Sequence, residues 1–226
     1  MKTKVKALLL TCCAVLLVTA TVFVTVAYLT SKDEVTNTFT VGKVAITLDE
    51  ADVNEYGVLL DSQGGVYDAE KEGVTLAARV AANEYKLMPG HTYVKDPTVH
   101  IAAGSEEAYY RMLVTVNFDN DISELAGTDL STIFTGYNTK WERTGYSVAE
   151  DGKSISYEYR YNTTVANNTE SVKDLEPLFQ AITVPTNLTN DTLAVFADME
   201  INIVAQAIQA DGFANADAAW DAFPEQ

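Results

Sequence analysis

The feature that most constrains this chain is a recurring two-residue alternation of apolar and polar side chains. From Tyr109 to Phe118 the even positions are Tyr110, Met112, Val114, Val116 and Phe118, and the odd ones include Arg111, Thr115 and Asn117. From Ser154 to Tyr161, Ile155, Tyr157, Tyr159 and Tyr161 alternate with Ser154, Ser156, Glu158 and Arg160. From Leu193 to Ala207, Leu193, Val195, Met199, Ile201 and Ile203 oppose Asp198, Glu200, Asn202 and Gln206. A strand sends successive side chains to opposite faces, so each run reads as a half-buried strand of an antiparallel sheet. Helical spacing fails on the last run, where steps of three and four from Leu193 and Phe196 land on Glu200.

The same period appears earlier. Val35, Phe39 and Val41 share one parity, and after Gly42 the apolar set moves to Val44, Ile46 and Leu48. A flip of parity at a glycine predicts a bulge or bend. Turns are marked by Gly64-Gly65, Pro89-Gly90, Gly104, Gly136, Gly145 and Asp151-Gly152, with Pro89-Gly90 fitting the central pair of a type II turn. Helices are few and short: one or two turns within Asp121–Phe134, another over Val172–Ile182, and one over Asn215–Phe223. The last has Asn215 as cap, Asp217 in the first turn and Pro224 as stop. Many strands and few helices around one core predict an all-β chain, an antiparallel β-sandwich with helical decorations. No linker or repeat divides it.

Before these strands, Lys2, Lys4 and Lys6 precede an uncharged run from Ala7 to Ala27 and a polar stretch, Thr30-Ser31-Lys32-Asp33-Glu34. This is the layout of an export signal, read as a signal helix over residues 1–27. The cut is placed between Ala27 and Tyr28, leaving residues 28–226 as one domain outside the cytoplasm. The run is also about 20 residues long, enough to span a bilayer, so a retained anchor is the alternative. Contact with a membrane is expected only through this segment, and a signal peptidase is the first partner.

Cys12 and Cys13 are the only cysteines, and both lie inside the signal. The exported part therefore has no disulfide, thiolate nucleophile or cysteine metal site. The chain carries a formal charge of −17 before three lysines are removed. Nucleic acid is excluded as a partner, because phosphate binding needs a basic footprint.

Catalytic patterns are scarce. His91 and His100 are the only histidines, with no His-Glu-x-x-His pair, nucleophile elbow or phosphate-binding glycine loop. They read as two ordinary surface residues, with a loose metal site as the alternative. Asp49 with Glu50, Glu106 with Glu107, and Asp119 with Asp121 offer oxygen ligands for calcium, but a chain this acidic makes such pairs by chance. The strand tyrosines suit core and cross-strand packing better than carbohydrate stacking. No catalytic residue, metal site or cofactor is expected.

Three blocks carry a family likeness. The first runs Ala27-Tyr28-Leu29-Thr30, then Asn37-Thr38-Phe39-Thr40-Val41-Gly42-Lys43-Val44-Ala45-Ile46-Thr47-Leu48. The second runs Tyr85-Lys86-Leu87-Met88-Pro89-Gly90, then Lys95-Asp96-Pro97-Thr98-Val99-His100-Ile101. The third runs Ala197-Asp198-Met199-Glu200-Ile201-Asn202-Ile203-Val204-Ala205-Gln206-Ala207. In this order they resemble the TasA/camelysin family of exported Gram-positive proteins, whose signals are cut by the peptidase SipW and whose best-known member forms biofilm matrix fibres. The tail from Ala207 to Phe213, with Trp220, resembles a clostridial-type subgroup. The stretch from Asp119 to Leu193 carries no family motif.

The resemblance implies a jelly-roll sandwich that polymerises by donor-strand exchange, the N-terminal segment of one subunit completing a sheet in the next. Residues 28–41 would be the donor, with Val35, Phe39 and Val41 as the inserting side chains. Strand addition of this kind draws affinity from main-chain hydrogen bonds and specificity from alternate side chains. The expected function is a secreted matrix or surface protein without catalysis, whose partners are copies of itself or other matrix proteins. A metallopeptidase, the label carried by some camelysin-like relatives, and a monomeric surface-binding module are the rivals.

Overall fold

The computed structural model describes residues 30–33, 44–119, 130–186, 196 and 199–224. The strands in chain order are β1 (Thr30–Asp33), β2 (Ile46–Asp49), β3 (Thr92–Val94), β4 (Thr98–Ile101), β5 (Ser105–Asn117) and β6 (Phe134–Thr135). They continue with β7 (Trp141–Val148), β8 (Ser154–Tyr161), β9 (Val165–Asn167), β10 (Lys173–Asp174), β11 (Ala181–Thr183) and β12 (Glu200–Gln209). Among the described residues, one α-helix, α1 (Ala216–Asp221), follows, and one 3₁₀ turn spans Leu130–Ile133.

All described pairings are antiparallel. The large sheet runs β1-β12-β5-β8-β7, with β9 beside the start of β5. Two three-stranded sheets run β10-β4-β2 and β3-β11-β6. The strand expectation is met where the alternation is cleanest. In β8, Ile155, Tyr157, Tyr159 and Tyr161 are buried while their neighbours are half-buried. In β5, Ala108, Tyr110, Met112, Val114 and Val116 are fully buried. These side chains join Val44, Ile46, Val99 and Ile101 beside β2 and β4, and Phe134 and Ile182 from β6 and β11, in one core. Strands from three sheets are thus fastened by one apolar cluster, whose burial holds them together.

The other face of the large sheet is covered by α1. Asn215 caps this helix, its side chain accepting from the Ala218 amide at 2.9 Å, as its sequence predicts. Trp220, Ala219 and Phe223 pack on Ile208 of β12. The Arg111 guanidinium lies 4.4 Å from the Trp220 ring and 5.1 Å from Phe223. Gln206, expected on a polar face, is buried here and accepts from Arg111 Nε at 2.7 Å.

Two local expectations are corrected. Val172–Ile182 is not helical: it holds β10 and β11 joined by extended chain. Its amides donate sideways, Leu175 to the Val99 carbonyl at 2.9 Å and Leu178 to that of Pro97 at 3.1 Å, and Pro177 has no N–H to give. Gly145 is not a turn but part of β7, at a register shift where a side chain would run into Glu158. Pro89-Gly90 does form its turn, with Gly90 at φ 76° and the His91 amide donating to the Met88 carbonyl at 3.1 Å. Of Asp121–Phe134, residues 121–129 lie outside the described residues. The parity flip at Gly42 and the start of the last strand from Leu193 lie outside them too.

Candidate functional site

Among the described residues, the two edges of β12 are paired over different lengths. Its inner edge pairs with β5 throughout, from Glu200 opposite Asn117 to Gln209 opposite Ala108. Its outer edge pairs with β1 only over four positions, from Thr30 opposite Ile208 to Asp33 opposite Ala205. Among the described residues, none pairs with that edge from Glu200 to Val204. The core-facing side chains record the difference. Ala205 and Ala207 are fully buried, whereas Ile201 and Ile203 are half-buried.

Beside this bare stretch the described residues enclose a cleft of about 830 Å³. Leu48, Leu87, Phe196, Met199, Ile201 and Ile203 give it an apolar end. The facing wall is the segment from Ala81 to Leu87, which has no regular structure but is anchored at both ends. Glu50 and Val80 exchange a pair of backbone hydrogen bonds of 2.8 Å, and the Lys86 amide donates to Glu55 at 2.8 Å. The Tyr93 hydroxyl donates to the Lys86 carbonyl at 2.6 Å and accepts from the Met88 amide at 2.7 Å.

The other end of the cleft is polar. The Lys95 ammonium pairs with Glu50 Oε2, with both residues buried, at 7% and 4% exposure. Asn83 Nδ2 donates to Glu50 Oε1 at 2.8 Å and to the Ala51 carbonyl at 2.9 Å. Asn83 Oδ1 accepts from the Val53 amide at 3.0 Å. Lys95 Nζ also stands 5.6 Å from the Tyr85 ring centre. An amine, a carboxylate and a carboxamide are thereby joined in one hydrogen-bonded group. The sequence offers Glu50 only as half of an acidic pair with Asp49, and does not single out Asn83 or Lys95. A signal was present: Lys95 shares the parity of Tyr93, which is fully buried, so a charge was due on an inward face.

Behind β2 lies a second ionic group. His100 holds Asp174 Oδ1 at 2.6 Å through Nδ1 and Asp49 Oδ1 at 2.7 Å through Nε2. Arg79 also pairs with Asp49, and with Asp96 at 2.8 Å. Burial works against charge on His100, but the two carboxylates outweigh it and raise its pKa above the ordinary value. His91 bonds the Tyr56 carbonyl at 2.8 Å and sets its ring 4.7 Å from that of Tyr93. Both histidines are half-buried and hydrogen-bonded within the chain. Asp49 takes His100 on β4 and Arg79 in the insert after β2, whereas Glu50 takes Lys95 just after β3, so the two carboxylates do not converge as a ligand pair.

Ala27, Tyr28, Val35, Phe39 and Val41 lie outside the described residues. Of the expected donor segment, Thr30–Asp33 is described, and it sits on the edge of its own chain's large sheet. No helix among the described residues is long and apolar enough to cross a membrane. Comparison with protein-family models, curated proteins and solved structures finds no match for this chain.

Proposed function

We propose that this is an exported structural protein of the TasA/camelysin type, which assembles on the cell surface or in the extracellular matrix by strand exchange. In this reading the two small sheets together form the second layer of a jelly-roll sandwich over the large sheet. Cleavage between Ala27 and Tyr28 by a SipW-like peptidase frees the segment that is exchanged. Val35, Phe39 and Val41 of one copy enter the cleft of the next and complete the outer edge of β12.

One observation carries this reading: β12 accepts residues 30–33 antiparallel on an edge that then stays bare beside an apolar cleft, from Glu200 to Val204 among the described residues. A second copy offering the same segment in the same register would form a head-to-tail contact, and a contact of that kind that does not close makes a filament. The acidic surface opposes association at low ionic strength, so salt should promote it. The test is light scattering and electron microscopy on the chain starting at Tyr28, with and without residues 28–41. The reading expects polymers from the first and folded monomers from the second. Filaments of normal length from the truncated chain would overturn it.

A further inference from the structure

We propose that Lys95 and Asn83 become joined by an isopeptide bond formed within the chain, with Glu50 as the catalytic residue that moves the protons. A structural ion pair needs only Lys95 and Glu50. Here the same carboxylate holds an amine on one oxygen and a carboxamide on the other, at 2.8 Å from Asn83 Nδ2. The carboxamide is fixed at both ends. Its nitrogen also donates to the Ala51 carbonyl at 2.9 Å, and its oxygen accepts from the Val53 amide at 3.0 Å. Holding the reacting groups together in this way removes most of the entropic barrier to their reaction.

The reaction is a transamidation with no change of oxidation state. Glu50 takes a proton from the Lys95 ammonium, and the freed Nζ attacks Cγ of Asn83. Negative charge gathers on Oδ1, where the Val53 N–H already points. Glu50 then delivers its proton to Nδ2 as the Cγ–Nδ2 bond breaks. One C–N bond forms and one is lost, and the nitrogen leaves through the cleft as ammonia, carrying the second lysine proton away as ammonium. The site lines the cleft, so the product has a way out. The Tyr85 and Tyr93 rings, packed edge-to-face at 5.5 Å, line the same cleft and give the site aromatic neighbours.

The bond would close a ring over residues 84–94 and lock Tyr85 and Leu87, which wall the cleft, to the end of β3. It is a staple that no reductant can open, in a chain whose only cysteines are Cys12 and Cys13. It is independent of strand exchange, since it needs only the three side chains.

The test is mass spectrometry of the purified full chain and of its tryptic digest, with the N-terminus read in the same sample. The expected mass is below that of the sequence by one ammonia. Trypsin should fail to cut after Lys95 and should yield a branched peptide joining residues 80–86 to residues 87–111. The folded Glu50→Gln and Lys95→Arg variants should show the unlinked mass. A wild-type chain at its sequence mass overturns the proposal. So does loss of ammonia with Lys95 still cleavable, which marks a cyclic imide at Asn83 alone. A linked Glu50→Gln chain would refute the role given to Glu50. If the variants do not fold, the branched wild-type fragment decides by its presence or absence.

Discussion

Ile203 and Ala205 point to the same face of β12, two residues apart, yet only Ala205 is fully buried. Asp33 of β1 lies opposite Ala205, and pairing by described residues stops there. Ile203 therefore marks where an added strand would gain most, by covering apolar surface and satisfying backbone groups together. Ile203→Asp should leave the monomer folded, at a cost of about 1 kcal/mol for a side chain already half-exposed. It should also prevent assembly, because the charge would have to be buried under the incoming strand. Light scattering on the variant at matched concentration checks this, and fibres like those of the wild type would rule the cleft out as acceptor.

The sequence shows the strands because alternation is a local property. The buried set of β8 can be read off Ile155, Tyr157, Tyr159 and Tyr161 without knowing what covers them. Sheet order is not local. Nothing in β12 announces that β5 lies on one side and β1 on the other. Val172–Ile182 shows how local patterns mislead. Leu175, Leu178, Phe179 and Ile182 have helical spacing and all are buried, but they reach the core from extended chain bonded to Val99 and Pro97. Of the site, the apolar residues of β12 were legible. The Glu50–Asn83–Lys95 group as a constellation was not, since it forms only when chain 33 and 45 positions beyond Glu50 folds back onto it, a separation that local pattern does not reach.

His100 gives the fold a pH dependence of predictable sign. Its neighbours are Asp49, which it shares with Arg79, and Asp174 on β10. The folded pKa is raised above 6.5, so the imidazolium's contribution is complete below pH 6.5 and fades as pH rises through the folded value. Hydrogen bonds to charged groups are worth about 1.5–3 kcal/mol. Wild type should exceed His100→Gln by about that much in urea denaturation below pH 6.5. The gap should narrow steadily toward alkaline pH. A gap that stays constant, or widens with pH, would show that His100 is held neutral.

Gly57 supports the cleft from beneath. Its φ is +71°, and a Cβ there would sit 2.4 Å from the Tyr93 Cα, a main-chain atom of β3 that cannot swing aside. Gly64 has a similar φ of +83° with nothing within 4 Å. Both substitutions to alanine carry the left-handed cost, about 1–2 kcal/mol. Gly57→Ala adds an overpacking cost of about 1–3 kcal/mol. Thermal melts of the two variants should therefore separate, with Gly57→Ala clearly the less stable. Equal melting points would mean that β3 yields freely and that the cleft wall is soft.

Arg111 secures the C-terminal helix to the large sheet. Its guanidinium faces Trp220 and Phe223, donates to Gln206 at 2.7 Å and lies 3.4 Å from Glu158. Glu158 also pairs with Arg160, which reaches Asp217 on α1 at 2.6 Å. Arg111→Met keeps the apolar stem and removes the flat cation, so cation–π attraction of about 1–2 kcal/mol is lost. Glu158 keeps Arg160, and Gln206 is left buried without its donor, a further penalty of about 1–3 kcal/mol. Six residues make a helix too short to persist undocked. Hydrogen exchange should therefore speed up across Ala216–Asp221 in Arg111→Met and stay unchanged in β8 and β7. Arg111→Lys should resemble Arg111→Met, because an ammonium cannot bond Gln206 while lying flat on two rings. Full protection of α1 in both variants would show that Ile208 and the apolar faces of Trp220 and Phe223 hold the helix without help.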